Sequence, residues 1–173
     1  DADTGGVEGL TFTWTPAEVR AALVAATAEG IDAELRIAAL KLLQSVDPEL
    51  GLTTAQRFLD GKGFKPTERQ AAIAIVATSS LPAAAGLRAG LAEKLAQGRL
   101  GDSLRLDVHA FAVTSPEPAV KDALRRYLSV ARKPEQLATP DLPYELLVAG
   151  GDPKRGRLIA NEHLAANCTF HRT

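Results

Sequence analysis

The chain has 173 residues, about one domain with a sizeable core, and its 20 basic and 21 acidic side chains leave a net charge of −1. With no polybasic run, it lacks the electrostatic footprint of a nucleic-acid binder or an anionic-membrane binder, and no uncharged apolar run reaches the roughly 18 residues of a membrane span. Hydrophobic residues make up 46% but aromatics only 5%, so alanine, leucine and valine must fill an interior that suits packed helices better than a sheet.

Residues 1–14 open with glycines and acids and show no helical period, so they read as an arm or linker, with Phe12 and Trp14 placed to staple it to the first helix. Helices then follow in a steady grammar. "WTPAEVRAALVAATAEG" offers Thr15 as N-cap, Pro16 at the first helical position, Glu18 to complete a capping box, and Gly30 to close. "DAELRIAALKLLQSV" is capped by Asp32 and stopped by Asp47 and Pro48. "TTAQRFLDGKG" reads as a short helix and "KPTERQAAIAIVATSS" as a longer one. "LPAAAGLRAGLAEKLAQG" starts at a proline and ends at Gly98. "GDSLRLDVHAFAVTS" takes Asp102 or Ser103 as its cap, and "EPAVKDALRRYLSVARK" begins at Pro118 and ends in basic residues that suit the negative end of a helix dipole.

The second helix of each pair recurs. "ELRIAALKLL", "RQAAIAIVA" and "LRLDVHAFAV" follow one another at intervals of about 34 to 35 residues, each with a small or apolar residue every third or fourth position. A helix pair with that period cannot bury its apolar face alone and stacks on its neighbours. The alternative is an irregular helical bundle. The tryptophan, glycine and tyrosine positions of a tetratricopeptide array are absent, so the expected fold is all-α, a HEAT-like right-handed solenoid of about seven to nine helices over residues 15–133.

The texture changes after Lys133. Residues 134–151, with Pro134, Pro140, Pro143, Gly150 and Gly151, read as a connector, and residues 152–173 as a helix leading into Cys168. Haem c attachment uses two thiols and a histidine directly after the second, C-x-x-C-H. Here the order is Cys168-Thr169-Phe170-His171, which leaves one possible thioether and sets His171 one residue closer to Cys168 than the motif asks.

The stretch "YELLVAGGDPKRGRLIANEHLAANCTFHRT" resembles the junction between a HEAT-like region and a c-type cytochrome domain in large multidomain haem-binding, membrane-bound dehydrogenase-type proteins of planctomycetes and verrucomicrobia. "LRLDVHAFAVTSP" resembles the last repeat before that junction, so the likeness covers residues 100–173. It implies that residues 152–173 are the truncated start of a cytochrome c-like segment, with Cys168 as first haem-linking cysteine and His171 as proximal ligand. The second cysteine has no counterpart, and the distal methionine that such domains use is missing from a chain without methionine. The resemblance also implies export to the periplasm or beyond.

Other constellations point to structure. His109 lies on an apolar-patterned helix and reads as a satisfied or half-exposed core histidine. His163, His171 and Cys168 lack a fourth metal ligand placed by sequence. Asp107 and Glu117 read as surface charge, Arg125 and Arg126 as a solvated helix face, and "GGDPKRG" as a turn without the spacing of a nucleotide loop. The single cysteine excludes an internal disulfide framework, and the absence of methionine marks a processed or excised piece. The expected function is a non-catalytic helical-repeat scaffold from a larger exported redox protein, with no catalytic residues, no metal and no cofactor of its own. Its expected partner is protein, either adjoining domains or a redox partner. The alternative is an electron-transfer protein carrying haem c at Cys168 and His171.

Overall fold

The computed structural model describes residues 14–130. Seven α-helices and no strand occur among these described residues: α1 (Pro16–Ala26), α2 (Ala33–Val46), α3 (Pro48–Asp60), α4 (Pro66–Thr78), α5 (Pro82–Ala96), α6 (Asp102–Thr114) and α7 (Pro118–Val130). The expected all-α class is therefore met.

Local sequence sets these boundaries. Five helices open on proline, whose fixed φ and missing N–H suit a first turn where the N–H has no partner. Thr15 Oγ1 accepts from the Glu18 N–H at 3.3 Å while the Glu18 carboxylate accepts from the Thr15 N–H at 2.8 Å, so both halves of the capping box close. The Asp32 carboxylate accepts from the N–H groups of Glu34 and Leu35, which holds its carboxyl below the usual carboxylate range. Gly30 and Gly98 take positive φ, 90° and 65°, in the turns after α1 and α5.

Two boundaries differ from the sequence reading. α3 begins at Pro48 instead of near Thr53, with Asp47 as its cap through a 3.1 Å bond from the Leu50 N–H. Gly51, inside the first turn of α3, is a point of close contact. A Cβ there would lie 2.6 Å from Gln44 Cα and 2.9 Å from Gln44 N, so only glycine lets α3 approach the α2 backbone this closely. α6 is capped by Gly101, and Asp102 is already helical. Its carboxylate pairs instead with Arg105 one turn on, at 2.8 Å.

Each helix packs on its chain neighbours. In addition α2 lies on α4, α4 on α6, and α5 on α7. One apolar cluster runs through the described residues from Leu40 to Tyr127, with Phe58, Ile73, Val76, Leu95, Val108 and Val120 among its members. α1 contributes no fully buried residue.

The caps Asp32, Lys65 and Gly101 bring α2, α4 and α6 into register at spacings of 33 and 36 residues. The second interval is longer because α5 has 15 residues where α3 has 13 and the link before α5, residues 79–81, is longer than the single Asp47 before α3, while α4 is one residue shorter than α2. Counted from these caps, matching positions agree in character. Ile31, Phe64 and Leu100 precede the caps; Arg36, Arg69 and Arg105 follow one turn in; Leu43, Val76 and Ala112 sit at the same depth in the core.

Candidate functional site

The expected haem site, Cys168 and His171, lies outside the described residues, as do His163, the connector over 134–151 and Phe12. What the described residues offer is a set of polar clasps between helices, one of them beside a small cavity.

The most enclosed clasp joins α2 to α4. Arg36 and Glu68 are both buried, and Arg36 Nη2 donates to Glu68 Oε2 at 3.1 Å. Arg36 Nε stands 2.7 Å from Glu68 Oε1 but out of line, so that contact is ionic and not a hydrogen bond. Glu68 Oε2 also accepts from the Lys65 N–H at 2.8 Å, which ties the pair to the start of α4. The guanidinium carbon of Arg36 lies 5.3 Å from the centroid of Phe64, and Phe64 stacks on Phe58 at 4.3 Å. The cation is thus held between a carboxylate and a ring face.

Arg57 and Arg88 repeat the device. Arg57 Nη2 donates to the carbonyl and hydroxyl of Thr27 at 2.9 and 2.6 Å, fastening α3 to the end of α1. Arg88 Nη1 donates to the carbonyls of Val76 and Ser79 at 2.9 and 2.8 Å, and its Nε donates to Glu117 Oε1 at 2.9 Å. One side chain on α5 thereby closes the end of α4 and holds the residue before α7. Glu117, expected as surface charge, is half-buried for this reason. Beside it lies a cavity of about 210 Å³ that Ser79, Phe111, Ser115 and Pro116 also line.

Arg126 pairs with Glu93 across α7 and α5, and Arg125 with Asp122 on its own helix. These two are exposed, as the sequence suggested, but they are engaged. Trp14 is exposed and does not act as a buried staple.

His109 is the outlier. It is 6% exposed, its ring meets Tyr127 edge-on at 6.5 Å between centroids, and Nε2 has no hydrogen-bond partner. It is neither half-exposed nor fully satisfied, contrary to the sequence reading. The matching positions on α2 and α4 are Leu40 and Ile73, so a polar ring occupies a place that those helices fill with hydrocarbon. Burial pushes the imidazole pKa below its ordinary value, because charging it means removing an ion from water.

The sign of the resulting pH effect follows. The unfolded chain binds this proton more readily than the folded one, so stability falls as pH drops through about 6.5, the ordinary histidine value. His109→Leu is expected to raise the unfolding midpoint near pH 6 and to flatten its dependence between about pH 7.5 and 5.5. Thermal melts of both chains across that range check it. A slope in His109→Leu equal to that of the parent chain would place the effect elsewhere.

Among the described residues no group of three or more His, Cys, Asp or Glu could hold a metal ion together, and no helix is long and apolar enough to cross a membrane. Arg36 with Glu68, Arg88 with Glu117 and Arg105 with Asp102 are ion pairs that hold helices or helix ends in place.

A continuous surface does emerge. Lys41, Ala74 and Ala110 occupy matching exposed positions on α2, α4 and α6, and Ser45, Thr78 and Thr114 form a second such row. The three hydroxyls donate to carbonyls of their own helices at 3.2, 2.9 and 3.2 Å. The lane is therefore small-residued and nearly uncharged. Sequence periodicity pointed to repeats here, but the rows appear only once the helices are aligned from their caps. No protein family, no curated protein and no solved structure matches this chain.

Proposed function

We propose that residues 15–133 form a HEAT-like right-handed solenoid, and that the chain is a non-catalytic scaffold or interaction module of a larger exported redox protein. The observation that supports this most is the cap-aligned register of α2, α4 and α6, whose exposed positions form two rows of small residues. Stacked helix pairs keep their core on one side and leave an extended surface whose outer residues vary at little cost to folding.

The chemistry of that surface favours protein. Ala74, Ala110, Ser45, Thr78 and Thr114 offer close approach and a single charge, Lys41, whereas a phosphate backbone calls for many cations. The adjoining parts of the parent protein are the partners that fit the reading. Localisation outside the cytoplasm, and the assignment to haem-binding multidomain proteins, rest on the resemblance of residues 100–173.

Intact mass and a visible absorption spectrum of the purified chain test the scaffold reading against electron transfer. A colourless chain at its sequence mass is expected. A mass gain of one haem with a sharp Soret band would overturn the scaffold reading and place a thioether on Cys168.

A further inference from the structure

α2 carries an apolar face that nothing else in the described residues matches. Leu35, Leu42 and Val46 are 54, 56 and 45% exposed, and Ile31, just before the cap, is 36% exposed. Large hydrophobic side chains scattered singly on a surface need no explanation, but four along one side of one helix form a patch.

The register says what such a face is for. The positions that match Ile31 are Phe64 and Leu100, both buried. Leu35 is matched by Glu68 and Leu104, Leu42 by Ile75 and Phe111, and Val46 by Ser79 and Ser115, and all six of these are buried. On α4 and α6 this side of the helix lies toward the preceding helix of its layer, α2 on α4 and α4 on α6. α2 is the first helix of that layer, and its face is built for the same kind of contact. At the position where α4 carries Glu68 to receive Arg36, α2 carries Leu35, so the helix that covers it must be apolar there and needs no arginine.

The spacing identifies that helix. Ile31, Leu35, Leu42 and Val46 are symmetric about the point between Ala38 and Ala39. A two-fold axis at that point sets Ile31 against Val46 and Leu35 against Leu42 of a second, antiparallel α2. Ala38, exposed beside the axis, has no bulk to hold the helices apart, and Ala39 next to it is buried in the chain's own core. Glu34 and Lys41 flank the stripe on one side, so antiparallel pairing brings acid beside base. This is the self-complementarity of an isologous interface.

We propose that the chain forms a two-fold dimer through α2, with Leu35 and Leu42 at its centre. The proposal rests on the stacked-repeat reading, because that reading makes α2 an end helix. One helix per partner is a small interface, so the dissociation constant falls in the range of about 1 to 100 µM.

Sedimentation equilibrium of the full chain from about 1 to 200 µM, which spans that range, is the test. A monomer–dimer equilibrium is expected. Leu42→Glu puts a carboxylate into the centre of the contact and weakens the dimer by about 100-fold or more. Leu42 is exposed in the monomer, so Leu42→Glu keeps the parental circular dichroism and melting midpoint at low concentration. Ala38→Cys in a Cys168→Ser chain forms a disulfide-linked dimer on oxidation, whereas Lys121→Cys on α7 in the same chain does not.

A chain that stays monomeric at 200 µM with native helicity overturns the dimer and leaves the scaffold reading standing. A dimer that Leu42→Glu leaves intact, or that Lys121→Cys crosslinks as readily, overturns the assignment to α2. Loss of helical signal in the parent chain would overturn the stacked fold itself.

Discussion

Glu68→Leu alone is expected to lower the unfolding free energy by about 3–5 kcal/mol, a large part of the roughly 5–15 kcal/mol that domains usually have. Leucine fits the place, since Leu35 and Leu104 hold the matching positions on α2 and α6. The loss comes from Arg36, which keeps its charge in a site almost closed to water and has lost the carboxylate that neutralised it. Phe64 still offers its ring face, but a ring compensates only part of a buried charge. The double change Arg36→Met with Glu68→Leu removes both ions and is expected to recover most of the loss, because a well-packed apolar pair replaces a buried ion pair at little cost. Urea unfolding of the parent, both single variants and the double variant gives the coupling energy directly. Single and double variants of equal stability would show that the pair is not a clasp between repeats.

Phe58→Ala is the second large effect, about 3–5 kcal/mol. Phe58 is fully buried on α3, stacks on Phe64 at an interplanar angle of 21°, and has the Arg57 guanidinium 5.9 Å from its ring. Removing it opens a cavity in the centre of the cluster and releases Phe64, which also covers Arg36. Its cost is therefore expected to be non-additive with that of Glu68→Leu, since both act on the Phe64–Arg36 contact. Phe58→Leu, which keeps most of the volume, is expected to cost less than half as much. Equal losses for alanine and leucine would show that the site collapses around either change.

Much of the helical order was legible because it is written locally. Thr15 with Glu18, Asp32, and the run of helix-opening prolines each act within a single turn. The start of α3 was missed because Asp47 and Pro48, read as the stop of α2, are also the cap and first residue of α3. The cap of α6 was misplaced by one residue because Asp102 is a capable cap that here pairs with Arg105. The sequence suggested a period of 34 to 35 residues, whereas the caps lie 33 and then 36 residues apart, because α5 and the link before it are longer than α3 and its link while α4 is shorter than α2.

The clasps were not legible at all. Arg36 with Glu68, and Arg88 with Glu117, are separated by about thirty residues, and nothing in either local sequence marks the partner. Glu117 reads as a surface acid until α5 is placed beside it. His109 was singled out by its apolar neighbours, but its burial depends on Tyr127 of the next helix. The apolar face of α2 is similar: Leu35 and Leu42 fit a core pattern, yet both are exposed. The cysteine and histidine that carried the cofactor expectation, Cys168 and His171, lie outside the described residues.

The stacked register of α2, α4 and α6 is the claim on which the rest depends, and distances between matching positions test it most directly. Lys41, Ala74 and Ala110 are exposed and occupy the same place on the three helices. Replaced in pairs by spin-labelled cysteine in a Cys168→Ser chain, and diluted into unlabelled chain, they report helix-to-helix spacing alone. Neighbouring helices pack about 8–10 Å apart, so positions 41 and 74 should match 74 and 110 in separation. The 41 to 110 distance should be about twice as long. A 41 to 110 distance as short as the other two would mean that the three helices close around one another as a bundle, and the account of a stacked repeat scaffold would be wrong.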